Sequence, residues 1–198
     1  MTMAEADETA GVVDYLFEAG LLKRAKRAGW WVAGIKDPES IAEHSHRVAL
    51  IGAVLAMLEG ADPAKVALMG VFHDSQETRV GDIPYIGRRY LTAATNEEVT
   101  ADQVADCPPV VRDAIQSIVD DYENGDSIEV LVAHDADKLE CLIQAIEYRE
   151  QGSQNVQPWI DSMQAALKTP SAQKIAAEAL QRTSQQWHAP QLGRRDRT

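Results

Sequence analysis

The chain is poor in cysteine, in cations and in long apolar runs, and each shortage excludes something. Two cysteines, Cys107 and Cys141, in 198 residues are too few for a disulfide framework and show no Cys-x-x-Cys spacing. They read as packing residues of a protein in a reducing cytoplasm. Lysine and arginine number 19 against 31 acidic residues, a formal net charge of −12. That balance opposes binding to a nucleic acid polymer, which depends on neutralising phosphates. The basic clusters are confined to KRAKR at 23–27 and the tail GRRDRT. No apolar stretch approaches the roughly 20 residues needed to cross a bilayer. The acidic start MTMAEADETAG also lacks the basic and apolar regions of a signal peptide. A cytoplasmic location with no membrane partner is the expectation.

Strand-type alternation, internal repeats and low-complexity linkers are missing too. What is present is helical periodicity along nearly the whole chain, with 45% hydrophobic residues. The expectation is an all-α single domain over 9–187, six to eight helices around one core, with flexible termini at 1–8 and 188–198. A first helix over about 9–27 would turn Val13, Leu16, Phe17, Gly20 and Leu21 inward. Ser40 and Glu43 form a capping box that opens a helix to about Leu58, closed by Gly60. Asp62-Pro63 opens the next helix, expected to run to about Arg79. Residues 81–94 read as irregular. Thr95 with Glu98 offers a second capping box, and helices follow over 108–122, 127–150 (started by Asp126 with Glu129), 156–168 and 171–187.

Several ionisable residues fall on faces that should be apolar. In the second helix His44 shares a stripe with Ile41, Val48, Ile51, Leu55 and Leu58, whereas His46 projects outward. In the third, Gly70, His73 and Glu77 share a face with Asp74 beside them, and Gly70 leaves room for something to approach. In the long helix Val130, His134, Asp137, Cys141 and Gln144 lie along one line. A buried carboxylate needs a cation. Lys138 or Arg79 could pair with Asp74 and Asp137; a divalent metal shared by His44, His73, Asp74 and Asp137 would satisfy all four at once. Two imidazoles and two carboxylates suit Mn, Co, Zn, Fe or Ni better than Ca, with Mg possible.

The ordered set His44, His73-Asp74, Asp137 resembles the HD-domain metal-dependent phosphohydrolases. LLKRAKRAGW (21–30), PESIAEHSHRVAL (38–50), FHDSQETRVGDI (72–83), DYENGDSIEVLVAHDADKLE (121–140) and QAIEYRE (144–150) are similar to their 5′-deoxynucleotidase branch. The last 40 or so residues contribute little to the likeness. The resemblance implies that His44, His73, Asp74 and Asp137 hold one divalent metal, that Glu77 is the catalytic acid or base, and that Asp82 positions water or sugar. It further implies that Arg27 and Trp30 meet phosphate and nucleoside, although here two residues separate them where bacterial members have them adjacent. The implied substrate is a nucleoside 5′-monophosphate and the implied assembly a homodimer, the later helices offering apolar contact faces. His134 departs from the pattern, and with Asp135 it is expected to face solvent. Two alternatives stand beside this reading: an HD phosphodiesterase or pyrophosphohydrolase acting on another small nucleotide, and a non-catalytic helical binding protein. The absence of histidine between 74 and 133 argues for one metal rather than two irons.

Overall fold

Capping chemistry decides where most of the helices begin. The computed structural model describes the backbone of residues 3–192 and the side chains of 9–190; the basic tail at 193–198 lies outside it. Eight helices of eight residues or more are present among the described residues. They are α1 (Met3–Ala19), α2 (Ile41–Glu59), α3 (Pro63–Phe72), α4 (Asn96–Gln103), α5 (Pro109–Asn124), α6 (Ile128–Glu150), α7 (Gln157–Ala166) and α8 (Pro170–Ala179). Single helical turns cover Gly29–Val32, Glu77–Val80, Tyr85–Arg88 and Ala189–Leu192. No strand occurs among the described residues, so the fold is all-α as expected.

The Ser40–Glu43 box closes α2 at its start, Ser40 Oγ accepting from Glu43 N at 3.2 Å and Glu43 Oε2 accepting from Ser40 N at 2.6 Å. Gly60, at φ +77°, ends the helix. Asp62 caps α3, and Thr95 with Glu98 forms the box of α4. Ser127, rather than Asp126, caps α6, because its side chain accepts from Val130 N.

The core is centred on α6. Its buried residues Val132, Ala133, Ala136, Leu139, Leu142, Ala145 and Ile146 meet Val48, Leu55 and Ala56 of α2, Val66 and Met69 of α3, Ile160 of α7, and Ala172 and Ala176 of α8. Each buried Leu, Ile or Val contributes roughly 1.5–3 kcal/mol. Gly70 lets α2 and α3 cross closely: a Cβ there would lie 2.8 Å from the Ala49 backbone. The gap expected at Gly70 is therefore filled by helix backbone.

Five further expectations about the fold need correction. First, α1 stops at Ala19, and its expected inner stripe is exposed, Leu16 at 63% and Phe17 at 76%. The helix buries Gly11 and Tyr15 instead, because Gly11 lies against the Asp106 backbone and Tyr15 joins the small cluster of Val104, Cys107 and Ile115. Second, Leu58 of α2 is exposed. Third, α2 is by length and composition alone apolar enough to span a bilayer, contrary to the sequence reading, yet its His44, Val48 and Leu55 face is taken up by α3 and α6. Fourth, the last long segment ends at Ala179, not 187. Ser184 N then donates to Glu150 Oε1 at 2.9 Å, drawing the chain back to the end of α6.

The fifth correction bears on the site. The helix begun at Pro63 does not continue to Arg79 but breaks at His73. There the ladder changes from i→i−4 to i→i−3, with Ser75 N bonding Phe72 O, Glu77 N bonding Asp74 O and Arg79 N bonding Gln76 O. Ser75 Oγ donates to Phe72 O at 2.8 Å and occupies that carbonyl. The tight turn is braced from behind. Gln103 Nε2 donates to Ser75 O and Thr78 Oγ1, and Glu18 accepts from Thr78, Arg79 and Gln103.

Candidate metal centre

Three elements bring four side chains to one place: His44 from the first turns of α2, His73 and Asp74 from the tight turn after α3, and Asp137 from mid-α6. His44, His73 and Asp74 offer ligand atoms all within 4.8 Å of one another. His44 Nε2 lies 3.6 Å from Asp74 Oδ2 and 3.2 Å from Asp137 Oδ1. His73 Nε2 lies 3.2 Å from Asp74 Oδ2 and 4.0 Å from Asp137 Oδ1. Atoms each about 2.1 Å from a common ion stand about 3.0–3.4 Å apart at neighbouring positions and about 4.2 Å at opposite ones. The spacing fits such an ion.

The rings are turned the right way. His44 Nδ1 meets Glu140 Oε2 at 2.5 Å, and His73 Nδ1 meets the Gly70 carbonyl at 3.0 Å. Both partners are acceptors, so Nδ1 carries the proton and Nε2 of the neutral ring presents a lone pair to the cluster. Both Nε2 atoms are buried and neither makes a hydrogen bond. The 3.2 Å approach of Asp137 to His44 is thus an electrostatic contact rather than an aligned bond. Two orphaned nitrogens facing two carboxylates are a donor set that could hold a metal ion.

Charge is arranged around this point. Burial alone would raise the Asp74 carboxyl, but His73, Arg27 and His44 outweigh it and hold Asp74 well below the usual carboxylate range. Asp137 is likewise held low against burial, chiefly by His44. Without metal, His44 is pushed up to about 10, since Asp137 and Glu140 overcome burial and the nearby Arg27. Glu77 moves the opposite way to its neighbours: burial first, then the charges of Asp74 and Asp82, raise it to about 9. Its Oε2 is buried without a partner.

A cavity of about 280 Å³ opens beside the cluster, lined by Arg27, Asp74, Glu77, Asp82 and Asp137 with Trp30 and Trp159. An apolar cleft of about 410 Å³ shares Pro84, Tyr85, Trp159 and Met163 with it. On the other side of Glu77 lies a cavity of about 320 Å³ bounded by Gln76, Arg88 and Asn96. Arg27 sits at the site because residues 25–27 pair with 39–41, through Arg27 N to Glu39 O at 3.1 Å and Ile41 N to Ala25 O at 2.9 Å. Its guanidinium contacts Asp74 at 3.1 Å. Trp30 is only 2% exposed. Its Nε1 donates to Glu39, and its ring meets Tyr148 edge-on at 5.1 Å and lies 5.9 Å from Trp159. Trp30 is chiefly a wall of the cavity anchored in the core.

The expected competitors for the carboxylates are engaged elsewhere, Arg79 with Glu18 and Lys138 with the His134 carbonyl. Asp135 does not face solvent as expected, and His134 does so only in part. His134 packs its ring 4.4 Å from that of Tyr122, which in turn lies 5.5 Å from His73. Asp135 is fully buried and accepts from Lys168 N and Thr169 N ahead of α8. Sequence reasoning overlooked Glu140, Arg47 and Trp159. Glu140 is fully buried, holds His44, and accepts from Arg47 Nε at 2.9 Å; Arg47 also binds Glu147 and Gln144. A carboxylate three residues after Asp137 and an arginine three after His44, each one turn along its helix, were the available signal.

Comparison with known proteins agrees with this geometry. The model of the HD domain family matches residues 19–179. The chain is 26% identical over 182 residues to 5′-deoxynucleotidase HDDC2 of Mus musculus, spanning 90% of this chain and 91% of that protein. It is 31% identical over 156 residues to a 5′-deoxynucleotidase of Saccharomyces cerevisiae, spanning 75% of this chain and 65% of that one. A conserved hypothetical protein of Pyrococcus furiosus has the same fold at a TM-score of 0.71 and 29% identity, covering 86% of this chain and 99% of its own.

Proposed function

The chain belongs to the HD-domain family, and from that premise we propose that it removes the 5′-phosphate of 2′-deoxyribonucleoside 5′-monophosphates, releasing nucleoside and phosphate. The observation that carries this reading is the pair of buried, unbonded Nε2 atoms facing Asp74 and Asp137, with a cavity and a raised carboxyl beside them. The relatives named 5′-deoxynucleotidase supply the substrate class.

His44, His73, Asp74 and Asp137 would hold one divalent ion, with Mn, Co, Zn, Fe or Ni suited to the donor set. When bound, such an ion polarises the phosphoryl oxygens and acidifies water. The remaining work falls to the chain. Burial and the charges of Asp74 and Asp82 favour the protonated form of Glu77. That acid is placed to donate to the 5′ oxygen as the P–O5′ bond breaks and the water oxygen bonds to phosphorus, the proton released by that water returning to Glu77. Asp82 fixes the water or the sugar in line. Arg27, held against Asp74, offsets charge at the metal end of the cavity. Trp30 and Trp159 form the wall for the nucleoside, and the apolar cleft past Trp159 takes the base.

The cytoplasmic location rests on two cysteines that are both unpaired and buried. The homodimer draws support from a face other than the one expected. Leu50, Val54, Met57 and Leu58 are exposed along α2 and Leu68 and Val71 along α3, while the later helices expose few large apolar residues. The net charge of −12 speaks for a small substrate rather than a nucleic acid polymer.

The test is phosphate release from dAMP, dGMP, TMP and dinucleotides across a panel of divalent metals. Release from monophosphates with at least one metal is expected; none from any monophosphate sinks the proposal. Release from dinucleotides alone would favour the phosphodiesterase alternative.

A further inference from the structure

The residue expected to meet the phosphate, Arg27, already has a carboxylate partner. Its Nη1 contacts Asp74 Oδ2 at 3.1 Å, and the charges of Asp137 and Asp82 act on it as well. Yet the cavity beside the cluster is walled by three aspartates, Asp74, Asp82 and Asp137, and the Glu77 carboxyl, against two guanidinium groups, Arg27 and Arg88. Even with a divalent ion at the histidines, a phosphate dianion entering this space needs a cation that is free to turn toward it.

Arg88 answers that description. It lines the cavity containing Arg27 and Trp159 and also the one on the other side of Glu77, bounded by His73 and Asn96. Among the described residues, Arg27 and Arg88 are the only lysines or arginines lining either space. Arg88 ends the helical turn Tyr85–Arg88, which is held by Gly87 N donating to Pro84 O at 2.7 Å. Among the described residues its side chain makes one hydrogen bond, a long one, Nε to the Ile83 carbonyl at 3.5 Å. The neighbouring Arg89 differs in every respect that matters. Its Nη2 donates to Tyr90 Oη, its guanidinium stacks 4.6 Å from the Tyr90 ring, and it lines neither cavity of the site.

We propose that Arg88 is the residue that grips the substrate phosphate, closing over it from the segment that runs across the two cavities. This rests on the phosphohydrolase reading above. The guanidinium would take two non-bridging oxygens through paired N–H donors, leaving Arg27 to stay with Asp74. The turn carrying it is among the most exposed parts of the chain, with Tyr85 90% exposed and Ile86 62%. A substitution at Arg88 therefore disturbs no core packing.

The experiment compares wild type, Arg88→Ala, Arg88→Lys and Arg89→Ala, each loaded with metal and checked for metal content. Arg88→Ala should keep its metal. It should raise both KM for deoxynucleoside monophosphates and the inhibition constant of inorganic phosphate, each by roughly tenfold to a hundredfold. Arg88→Lys should recover part of both losses, because charge returns without the paired donors, and Arg89→Ala should match wild type. The proposal is overturned if Arg88→Ala stays within about twofold on both constants, or if Arg89→Ala loses as much. Should wild type hydrolyse no monophosphate, the parent reading fails, and calorimetric binding of inorganic phosphate still judges Arg88. Weaker binding by Arg88→Ala than by wild type supports the phosphate grip, and equal binding ends it.

Discussion

Replacing Glu140 by glutamine should loosen the metal site without touching any of its four side chains. Glu140 is fully buried and divides its carboxylate between His44 Nδ1 at 2.5 Å and Arg47 Nε at 2.9 Å. The amide keeps the shape and one acceptor oxygen, but it must turn an NH2 toward either the imidazole N–H or the guanidinium. One donor–donor contact results. Removing a partner from a buried pair outright costs about 3–5 kcal/mol. Because Arg47 keeps Glu147 and Gln144 and an acceptor remains, the stability loss should be nearer about 1–3 kcal/mol. The ring is also less firmly oriented and less basic, which weakens a histidine ligand roughly tenfold to a hundredfold.

Two measurements separate these effects. Metal affinity would be read by Mn or Co titration against a competing chelator, and stability by urea unfolding in excess chelator. Glu147→Gln serves as the control, since Glu147 lies on the exposed side of the same Arg47 network and touches no histidine. The reasoning fails if Glu140→Gln binds metal within about twofold of wild type while losing stability. Glu140 would then be a packing partner of Arg47 and not the orienter of His44. Equal losses in metal affinity from Glu140→Gln and Glu147→Gln would refute it too.

Glu77→Gln should retain metal and lose about 10²–10⁴-fold in kcat, read by phosphate release, because the amide N–H is far too weak an acid to give up its proton; an active variant assigns proton transfer elsewhere. The metal-free protein should lose stability as pH rises. His44 is raised from 6.5 to about 10 and Glu77 from 4.5 to about 9, so the folded state binds the extra protons. The benefit from His44 is complete below about pH 6.5 and disappears as pH climbs through 10, while the penalty on Glu77 grows from about 4.5 to 9. The slope between pH 7 and 9 should be about 1–3 kcal/mol per pH unit, measurable by urea melts in chelator, and Glu77→Gln should reduce it. Asp135→Ala, which strips acceptors from Lys168 N and Thr169 N, should cost about 1–3 kcal/mol and leave metal affinity unchanged. A change in affinity would mean that the α6–α8 junction reaches the metal site.

How much of this could be read from residue order follows from the range of the forces involved. Caps are local, so Ser40–Glu43, Asp62-Pro63 and Thr95–Glu98 were legible with their partners. The inward face of α2 was legible because one stripe holds Val48 and Leu55, and His44 followed from its register. The face of α1 was not, since Leu16 and Phe17 are more apolar than Gly11 and Tyr15, and only the partner cluster at Val104 and Ile115 decides between them. The break at His73 was hidden for the same reason. No glycine or proline lies between Val71 and Val80, and the turn is held by Glu18 and Gln103, distant in sequence. That hidden break has a chemical consequence. Had α3 run on to Arg79, Glu77 would stand one full α-turn beyond His73. Bonds of the i→i−3 kind instead tighten the turn, holding Glu77 in a buried position near Asp74 and Asp82, where burial first and then their charges raise its carboxyl to about 9. The brace formed by Glu18, Thr78, Arg79 and Gln103 thus helps to set the acidity of the group proposed to deliver the proton. Gln103→Leu should for that reason lower the alkaline limb of the pH–rate profile toward neutrality while leaving metal content unchanged. A variant that loses stability but keeps the wild-type profile would show that the brace supports the fold alone.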